Sequence, residues 1–331
     1  MPVSRRAPAQ LPAQVVIIVP AFRAEGSIAQ TLDSIQSQGK ALSAVESVIL
    51  AEDHGADRTV EVARKHWEQK NTTLRITEAS ANRGEYRNLN ETILQLAPEI
   101  EWVIILHDDN LAKANWLSTL LNRIENAEDR VASICTSWDL IQADGLVVTG
   151  DSRTVAEAQV YAGNRRTVRD TLFIGCWWHL SSCAIRVSAF KDAGMLPTDM
   201  TYKGDWDFLL RMYEHGWKIE YLPVALTQHR SNAESVRGKY YANFTDIRET
   251  LNVLRWHAWS LTHVELFRLH FQYFLTAAKR TLKALLWFEV AASKSGLIAT
   301  GHVVLNYLVC ARAFIAGTRE ELRHRDNKLP H

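Results

Sequence analysis

The chain has 331 residues, 47% hydrophobic and 23% charged, with a formal net charge of +1. That length suits one large domain or a domain with an appendage, and the composition permits a sizeable core while arguing against wholesale disorder. The balance gives no ground for a nucleic-acid partner, yet it is uneven: from Asp246 onward 12 Lys/Arg face 7 Asp/Glu, a local +5 that leaves −4 for the remainder.

Residues 1–14 are polar, carry Pro2, Pro8 and Pro12, and lack the apolar stretch of a secretory leader, so they read as a loose tail. Val15-Val16-Ile17-Ile18-Val19 is a continuous β-branched run stopped by Pro20, the pattern of a strand buried in a parallel sheet. A helix follows, opened by Ser27 with Gln30 at the capping-box position, carrying Ile28, Leu32 and Ile35 on one face and ended by Gly39. Val48-Ile49-Leu50 is a second strand, Asp57 caps a second helix with Val60, Ala63 and Trp67, and residues 74–77 form a third strand. Leu89, Ile93 and Leu96 mark a third helix, stopped at Pro98. Trp102-Val103-Ile104-Ile105-Leu106 is the fourth strand and 131–137 the fifth. This alternation predicts an α/β sheet with helices on both faces.

From about Asp246 the pattern becomes almost pure helix, and a boundary is expected near 231–246. The predicted organisation is a tail at 1–14, an α/β domain at 15–235 and a helical region at 236–331. Within that region Lys279, Arg280, Lys283 and Lys294 accompany Leu282, Leu285, Leu286, Trp287 and Phe288. Such a helix can lie on an anionic membrane surface, or pack on the catalytic domain or on another subunit of a homo-oligomer; apolar residues around much of it favour packing. The most apolar window, 297–317, is interrupted by His302, Asn306 and Arg312, which argues against a spanning helix. Cys135, Cys176, Cys183 and Cys310 form no CxxC pair and no zinc spacing, so they read as reduced thiols of a cytoplasmic protein, peripheral to the membrane's inner face if it meets one.

In sheets of this class ligands bind beyond the carboxyl ends of the strands. The fourth strand runs directly into His107-Asp108-Asp109-Asn110. Carboxylates gathered there repel one another unless a cation or hydrogen bonds stabilise them, and hard oxygen ligands suit Mg²⁺ or Mn²⁺. The alternative is a helix start, with Asp108, Asp109 or Asn110 capping the helix of Trp116, Leu120 and Ile124.

The order and spacing of several segments resemble a family 2 glycosyltransferase over roughly residues 15 to 240. Val16-Ile17-Ile18-Val19-Pro20-Ala21-Phe22 resembles the family's opening strand, and Glu52-Asp53-His54-Gly55-Ala56-Asp57-Arg58-Thr59 its nucleoside-contacting segment, with Glu52 in place of an Asp. Asn82-Arg83-Gly84 with Arg87-Asn88 resembles Asn-x-Gly…Ala-Arg-Asn, and His107-Asp108-Asp109-Asn110 resembles the metal motif Asp-x-Asp-Asp with His107 at its first position. Gly204-Asp205-Trp206-Asp207 resembles Glu-Asp-x-Asp, Gly204 standing where an acid is usual.

The resemblance implies a GT-A fold: a Rossmann-like, mainly parallel sheet flanked by helices, here with a C-terminal helical extension. It implies inverting transfer from a nucleotide-diphosphate sugar, a UDP- or dTDP-sugar, to a hydroxyl of a glycan or lipid-linked acceptor, in bacterial-type polysaccharide, lipopolysaccharide or glycan biosynthesis. Pro20, Ala21, Phe22, Glu52, Asp53, Arg83, Arg87 and Asp108 would bind the donor. Asp109 would hold Mn²⁺ or Mg²⁺, helped by His107 and by the late His229. Asp205 would be the base; it could also cap the helix from Trp206, and the two roles can coexist. Trp177, Trp178 and Arg165 lie in the half expected to face the acceptor, core packing being the commoner fate of paired tryptophans. A dehydrogenase is disfavoured because GxGxxG is absent, and a nucleotidyltransferase because Pro20-Ala21-Phe22-Arg23 is no glycine-rich phosphate loop. The remaining alternative is a non-catalytic sugar-nucleotide or glycan-binding protein of the same fold, supported by His107 and Gly204 in places usually held by acids.

Overall fold

The protein is described by a computed structural model covering residues 14–67, 72–142, 146–149, 155–230, 240–287, 289–318 and 322. Most of the expected tail, Phe288 and much of the expected 231–246 boundary lie outside these residues.

Seven of the eight residues of β1 (Gln14–Ala21) are buried, as a β-branched run between two neighbours must be. Those neighbours are β2 (Ser47–Glu52) and β4 (Ile100–Ile105), both parallel to it, and β3 (Thr73–Glu78) continues the parallel set beyond β2. The full order is β3-β2-β1-β4-β9-β6-β10-β5, with β7 (Val147–Thr149) on β6 and β8 (Gln159–Tyr161) on β10. The long strands β6 (Val131–Ile141) and β10 (Lys218–Arg230) pair in parallel. The antiparallel β9 (Cys183–Arg186) joins them to β4, and the two-residue β5 (Leu111–Ala112) lies antiparallel at the far edge.

Two apolar layers cover the two faces, because fully buried strands present side chains to both. On one face α1 (Ile28–Gln36), α2 (Thr59–His66) and α4 (Trp116–Glu125) pack Leu32, Ala63 and Leu120 against Ile17 and Ile104. On the other, α3 (Glu85–Leu94), α5 (Arg165–Ile174), α6 (Val187–Asp192) and α7 (Gly204–Glu214) pack Leu89, Leu172, Phe190 and Phe208 against Val103 and Ile185.

Local expectations shift in detail. Ser27 forms no side-chain cap, so the capping box with Gln30 is not made; Gln30 instead accepts from Arg230. The first helix ends at Gln36, and Gly39, at φ +58°, opens a short 3₁₀ segment, Gly39–Ala44. Asp57 bonds the amide and hydroxyl of Thr59, acting one residue outside the cap position. The fifth long strand runs to Ile141, four residues beyond expectation.

The C-terminal helices α8 (Thr245–Trp256), α9 (His263–Leu286) and α10 (Val290–Ala316) share the second layer, contributing Leu254, Leu269 and Cys310. Thr262 and Glu265 start α9 with a reciprocal capping box. α7 and α8 are joined by buried charge. Asp207 pairs with Arg211 at 2.7 Å and with His257 at 2.9 Å, while His257 also bonds Glu214 at 2.6 Å. Such an ion cluster tolerates burial only because every member is partnered. α10, 27 residues long, is by length and composition apolar enough to cross a membrane, which the interrupted 297–317 window had argued against. Its inner stripe, Ser293, Gly296, Ala299, Val303, Cys310 and Ala313, is buried against the protein.

Candidate active site

The carboxyl ends of β1, β2 and β4 converge on one cavity of about 510 Å³. Its walls include Pro20 to Phe22, Asp53, residues 82–88 and His107 to Asp109, with Thr198, Met200, Thr201 and Tyr240 opposite. Loops far apart in sequence meet there because a parallel sheet places successive strand ends on the same edge.

Each loop is held by its neighbours. The Thr31 hydroxyl on α1 reaches the carbonyls of Asp108 and Asn110, both at 2.9 Å, and the Ser181 hydroxyl accepts from the His107 amide and the Asn110 side chain. Asp108 Oδ2 accepts from the Phe22 amide at 2.9 Å, tying the end of β4 to the end of β1. Arg230 at the end of β10 donates to the Asp109 carbonyl at 3.0 Å. The helix-cap reading of this segment fails: β5 intervenes, and the residue flanking α4 is Asn115 in the left-handed region.

The acids of the second strand end are committed to backbone. Glu52 is buried, accepts from the amides of His54 (3.0 Å) and Gly55 (2.5 Å), and stays outside the cavity lining. It shapes the 52–59 loop from just behind the cavity wall. A side chain at Gly55 would meet the Arg23 amide nitrogen at 2.7 Å, so the turn can pass β1 this closely only as glycine. Asp53 lines the cavity but accepts from the amides of Arg83 and Gly84 at 2.9 and 2.8 Å. Arg83 is tied to Glu91 and Asn88. Arg87 is 60% exposed, with its Nε 3.0 Å from Glu91, at the cavity's edge.

His107 lies 2.9 Å from Glu85 in a charge pair set off the line of a hydrogen bond. Burial works against a charged ring, but Glu85, then Asp109 and Asp108, outweigh it and raise the His107 pKa to about 9. The Glu85 pairing favours a proton on the ring lone pair, which a metal at His107 would have to displace. Burial, reinforced by Asp109, lifts the Asp108 carboxyl to about 7. Asp109's carboxylate makes no hydrogen bond or ion pair among the described residues and lines the cavity. His229 is buried outside the cavity lining, 3.2 Å from Ser182, stacked on Trp138 and tilted against His179. Burial, with the nearby histidines, holds its ring neutral. Among the described residues no group of three or more His, Cys, Asp or Glu is placed to hold a metal. The donor set therefore fits a hard divalent ion only where one or two carboxylates, Asp109 and the free oxygen of Asp108, are completed by ligand phosphates, which is the usual mode for Mg²⁺.

Asp205 sits in the first turn of α7, beside Glu85 and Lys203. Its carboxylate accepts from the Trp206 amide at 2.8 Å, and its own amide donates to the Tyr86 hydroxyl at 3.3 Å. Burial raises its pKa to about 6, with Lys203 opposing and Glu85 adding. Tyr86 also explains Gly204: a Cβ there would stand 2.3 Å from the Tyr86 ring, so the ring fills the space an acid would need. Tyr86 and Glu85 were not singled out from the sequence, since neither matches a named residue of the motif that spans them. Glu249 was missed because it lies outside every motif. Buried on α8, it accepts from the Thr201 amide (3.0 Å) and hydroxyl (2.9 Å) and from the amides of Tyr202 and Lys203 (both 2.8 Å). It therefore clamps the segment running from the cavity wall to Asp205.

The expected acceptor residues are not gathered here. Trp178 is buried in the core with its indole on Ser133, Trp177 packs on Tyr161 and Tyr221, and Arg165 donates to the Ser260 carbonyl. Both tryptophans are taken up in core packing.

A sequence profile described as glycosyltransferase-like family 2 matches residues 12–244. A comparison with curated proteins gives no match. Among solved structures, S. aureus TarS 1-349 is similar at TM-score 0.57 and 16% identity, over 92% of each chain. The chain spans 55% of a longer TarS structure. The mannosyltransferase PcManGT of Pyrobaculum calidifontis, in complex with GDP-Man and Mn²⁺, is similar at TM-score 0.55 and 18% identity, over 97% of this chain and 88% of that one. TarS 1-349 in complex with UDP-GlcNAc gives 0.55 and 15% over 92% of each chain. The fold is GT-A, with helices added at the C-terminus.

Proposed function

The chain belongs to glycosyltransferase family 2, and from that premise we propose that it moves a sugar from a nucleotide-diphosphate donor to an acceptor hydroxyl with inversion at the anomeric carbon. The observation that carries this reading is the single cavity in which Asp53, Arg83, Arg87, Asp108 and Asp109 meet. Structural neighbours bound to UDP-GlcNAc and to GDP-Man with Mn²⁺ support a donor of that class. The sequence likeness favours a UDP- or dTDP-sugar, a glycan or lipid-linked acceptor, and a role in polysaccharide or glycan assembly.

Each residue then has a physical task. Pro20, Ala21, Phe22 and Asp53 shape the nucleoside end, and the Arg87 guanidinium offers paired donors to the diphosphate. Asp109, with Asp108 beside it, would hold a divalent cation on that diphosphate, where the ion supplies neutralisation of the charge that develops on the leaving group. The His107 imidazolium adds positive charge near the same oxygens. Asp205, with a pKa of about 6, is ionised at neutral pH and takes the acceptor proton as the glycosidic bond forms. Holding donor and acceptor in line lowers the entropic part of the barrier.

A non-catalytic binder remains the second reading, favoured by the pairing of His107 with Glu85 where a first metal ligand would stand. Thermal shift against a panel of nucleotide sugars, with and without Mn²⁺, followed by turnover of the stabilising donor, tests both. Stabilisation with Mn²⁺-dependent transfer or hydrolysis, lost in Asp205→Asn while donor stabilisation persists, supports the enzyme. Stabilisation without any turnover would leave the binder, and full turnover by Asp205→Asn would remove Asp205 as base.

A further inference from the structure

A second groove, of about 440 Å³, lies between α8 and α10 and shares no lining residue with the donor cavity. α8 presents Arg248, Asn252 and Arg255 to it, all exposed at helical spacing. α10 presents His302, Leu305 and Val309. Neither guanidinium is ion-paired among the described residues; Arg248 bonds only the Thr245 hydroxyl. The one acid at the groove, Glu249, is buried and already saturated by residues 201–203. Among the described residues the groove is thus an uncompensated cationic trough.

Its apolar wall continues onto the outer face of the α9–α10 hairpin. Leu297, Ile298, Val304, Leu305 and Leu308 are 46–61% exposed, and Phe267, Phe271 and Leu282 on α9 are at least half exposed. Between Lys294 and Arg312, α10 carries no Asp, Glu, Lys or Arg. A free-standing apolar face of this length, next to unpaired guanidiniums, calls for an occupant that is itself both anionic and apolar.

We propose that the groove seats the phosphate of an anionic membrane lipid and that the outer face of the hairpin lies in the headgroup–acyl boundary of a bilayer. Paired guanidiniums match phosphate geometry, and the neighbouring leucines and valines receive the acyl chains. The hairpin lies on the surface and does not span it: Arg248 and Arg255 flank the middle of α10, and a spanning helix would carry them to the bilayer centre. A second copy of the chain suits the face less well. A two-fold contact buries the same patch from both copies, which brings four of these arginine side chains into one interface whose groove lining offers, among the described residues, only the already bonded Glu249 as an acid.

The test is co-sedimentation of the full chain with vesicles of phosphatidylcholine alone or mixed with phosphatidylglycerol. Binding is expected only to the anionic vesicles. It should weaken by about fivefold in Arg255→Gln and about thirtyfold in the Arg248→Ala/Arg255→Ala double variant, about a factor of five per basic residue at the surface. Leu308→Asp should weaken it with both arginines intact. All variants should keep the wild-type melting temperature and donor-induced thermal shift, which separates this result from any failure of the donor assignment. Undiminished binding by the double variant overturns the proposal. So does stabilisation by inorganic phosphate without vesicle binding, which would make the groove a soluble-phosphate site. A concentration-dependent dimer in light scattering that fails to bind vesicles overturns it too, giving the face to a second copy.

Discussion

Glu249→Gln probes how the C-terminal helices act on the chemistry. The carboxylate accepts from three consecutive backbone amides and one hydroxyl at residues 201–203. In the amide, one oxygen can still serve Thr201, but an NH₂ group then faces the amides of Tyr202 and Lys203. Bonds to a charged acceptor contribute about 1.5–3 kcal/mol each. The loop is partly solvated and can rehydrate, so losing two of them costs roughly 2–4 kcal/mol. That is enough to release the segment without unfolding the domain. Thr198, Met200 and Thr201 wall the donor cavity, and Asp205 follows two residues after Lys203, so the base moves with the loop. Misplacement of a catalytic group by about 1 Å can cost on the order of 100-fold. Steady-state turnover of the stabilising donor should therefore show kcat reduced by about 10- to 100-fold. Hydrogen exchange at 201–203 should quicken, and exchange in β1 and β4 should stay as it was. A variant with wild-type kcat and unchanged exchange at 201–203 would refute the clamp.

If Asp205 is the base, kcat/KM should fall as pH drops through about 6, the value to which burial raises its carboxyl; a flat profile from neutrality to pH 5 would oppose the role. Gly204→Ala should destabilise the fold by about 1–3 kcal/mol in chemical denaturation, because the new methyl overlaps the half-buried Tyr86 ring; Tyr86→Ala should relieve much of it. His257 has a folded pKa raised to about 9: burial opposes its charge, and Glu214 and Asp207 more than offset that. Its contribution is complete below its unfolded value of about 6.5 and is lost as pH rises through about 9, an effect on the order of 2–3 kcal/mol. Melting temperature should fall across that window, and His257→Gln should flatten the slope while lowering stability at pH 6.

The strands were legible in the sequence because a buried parallel strand needs an unbroken apolar run, and the runs at 15–19, 48–50 and 102–106 have no other soluble use. The turn residues after them were legible for a similar reason: an acidic strand end such as 107–110 is costly unless something binds it. The roles of those side chains were less legible. Glu52, Asp53 and Arg83 sit in the expected segments, yet their hydrogen bonds go largely to neighbouring protein groups. Whether His107 ligates a metal or carries a proton depends on Glu85, 22 positions earlier, which comes within 2.9 Å only when α3 packs on β1 and β2. Gly204 reads as a lost acid until the Tyr86 ring is found in its place. Glu249 belongs to a helix that shares no motif with the site it braces. The sequence by itself determined which segments are buried and which strand ends carry charge, since both follow from local pattern. Only the tertiary structure decided which charges face one another, because pKa, metal competence and loop position depend on neighbours that the chain brings together from 20 to 100 or more residues away.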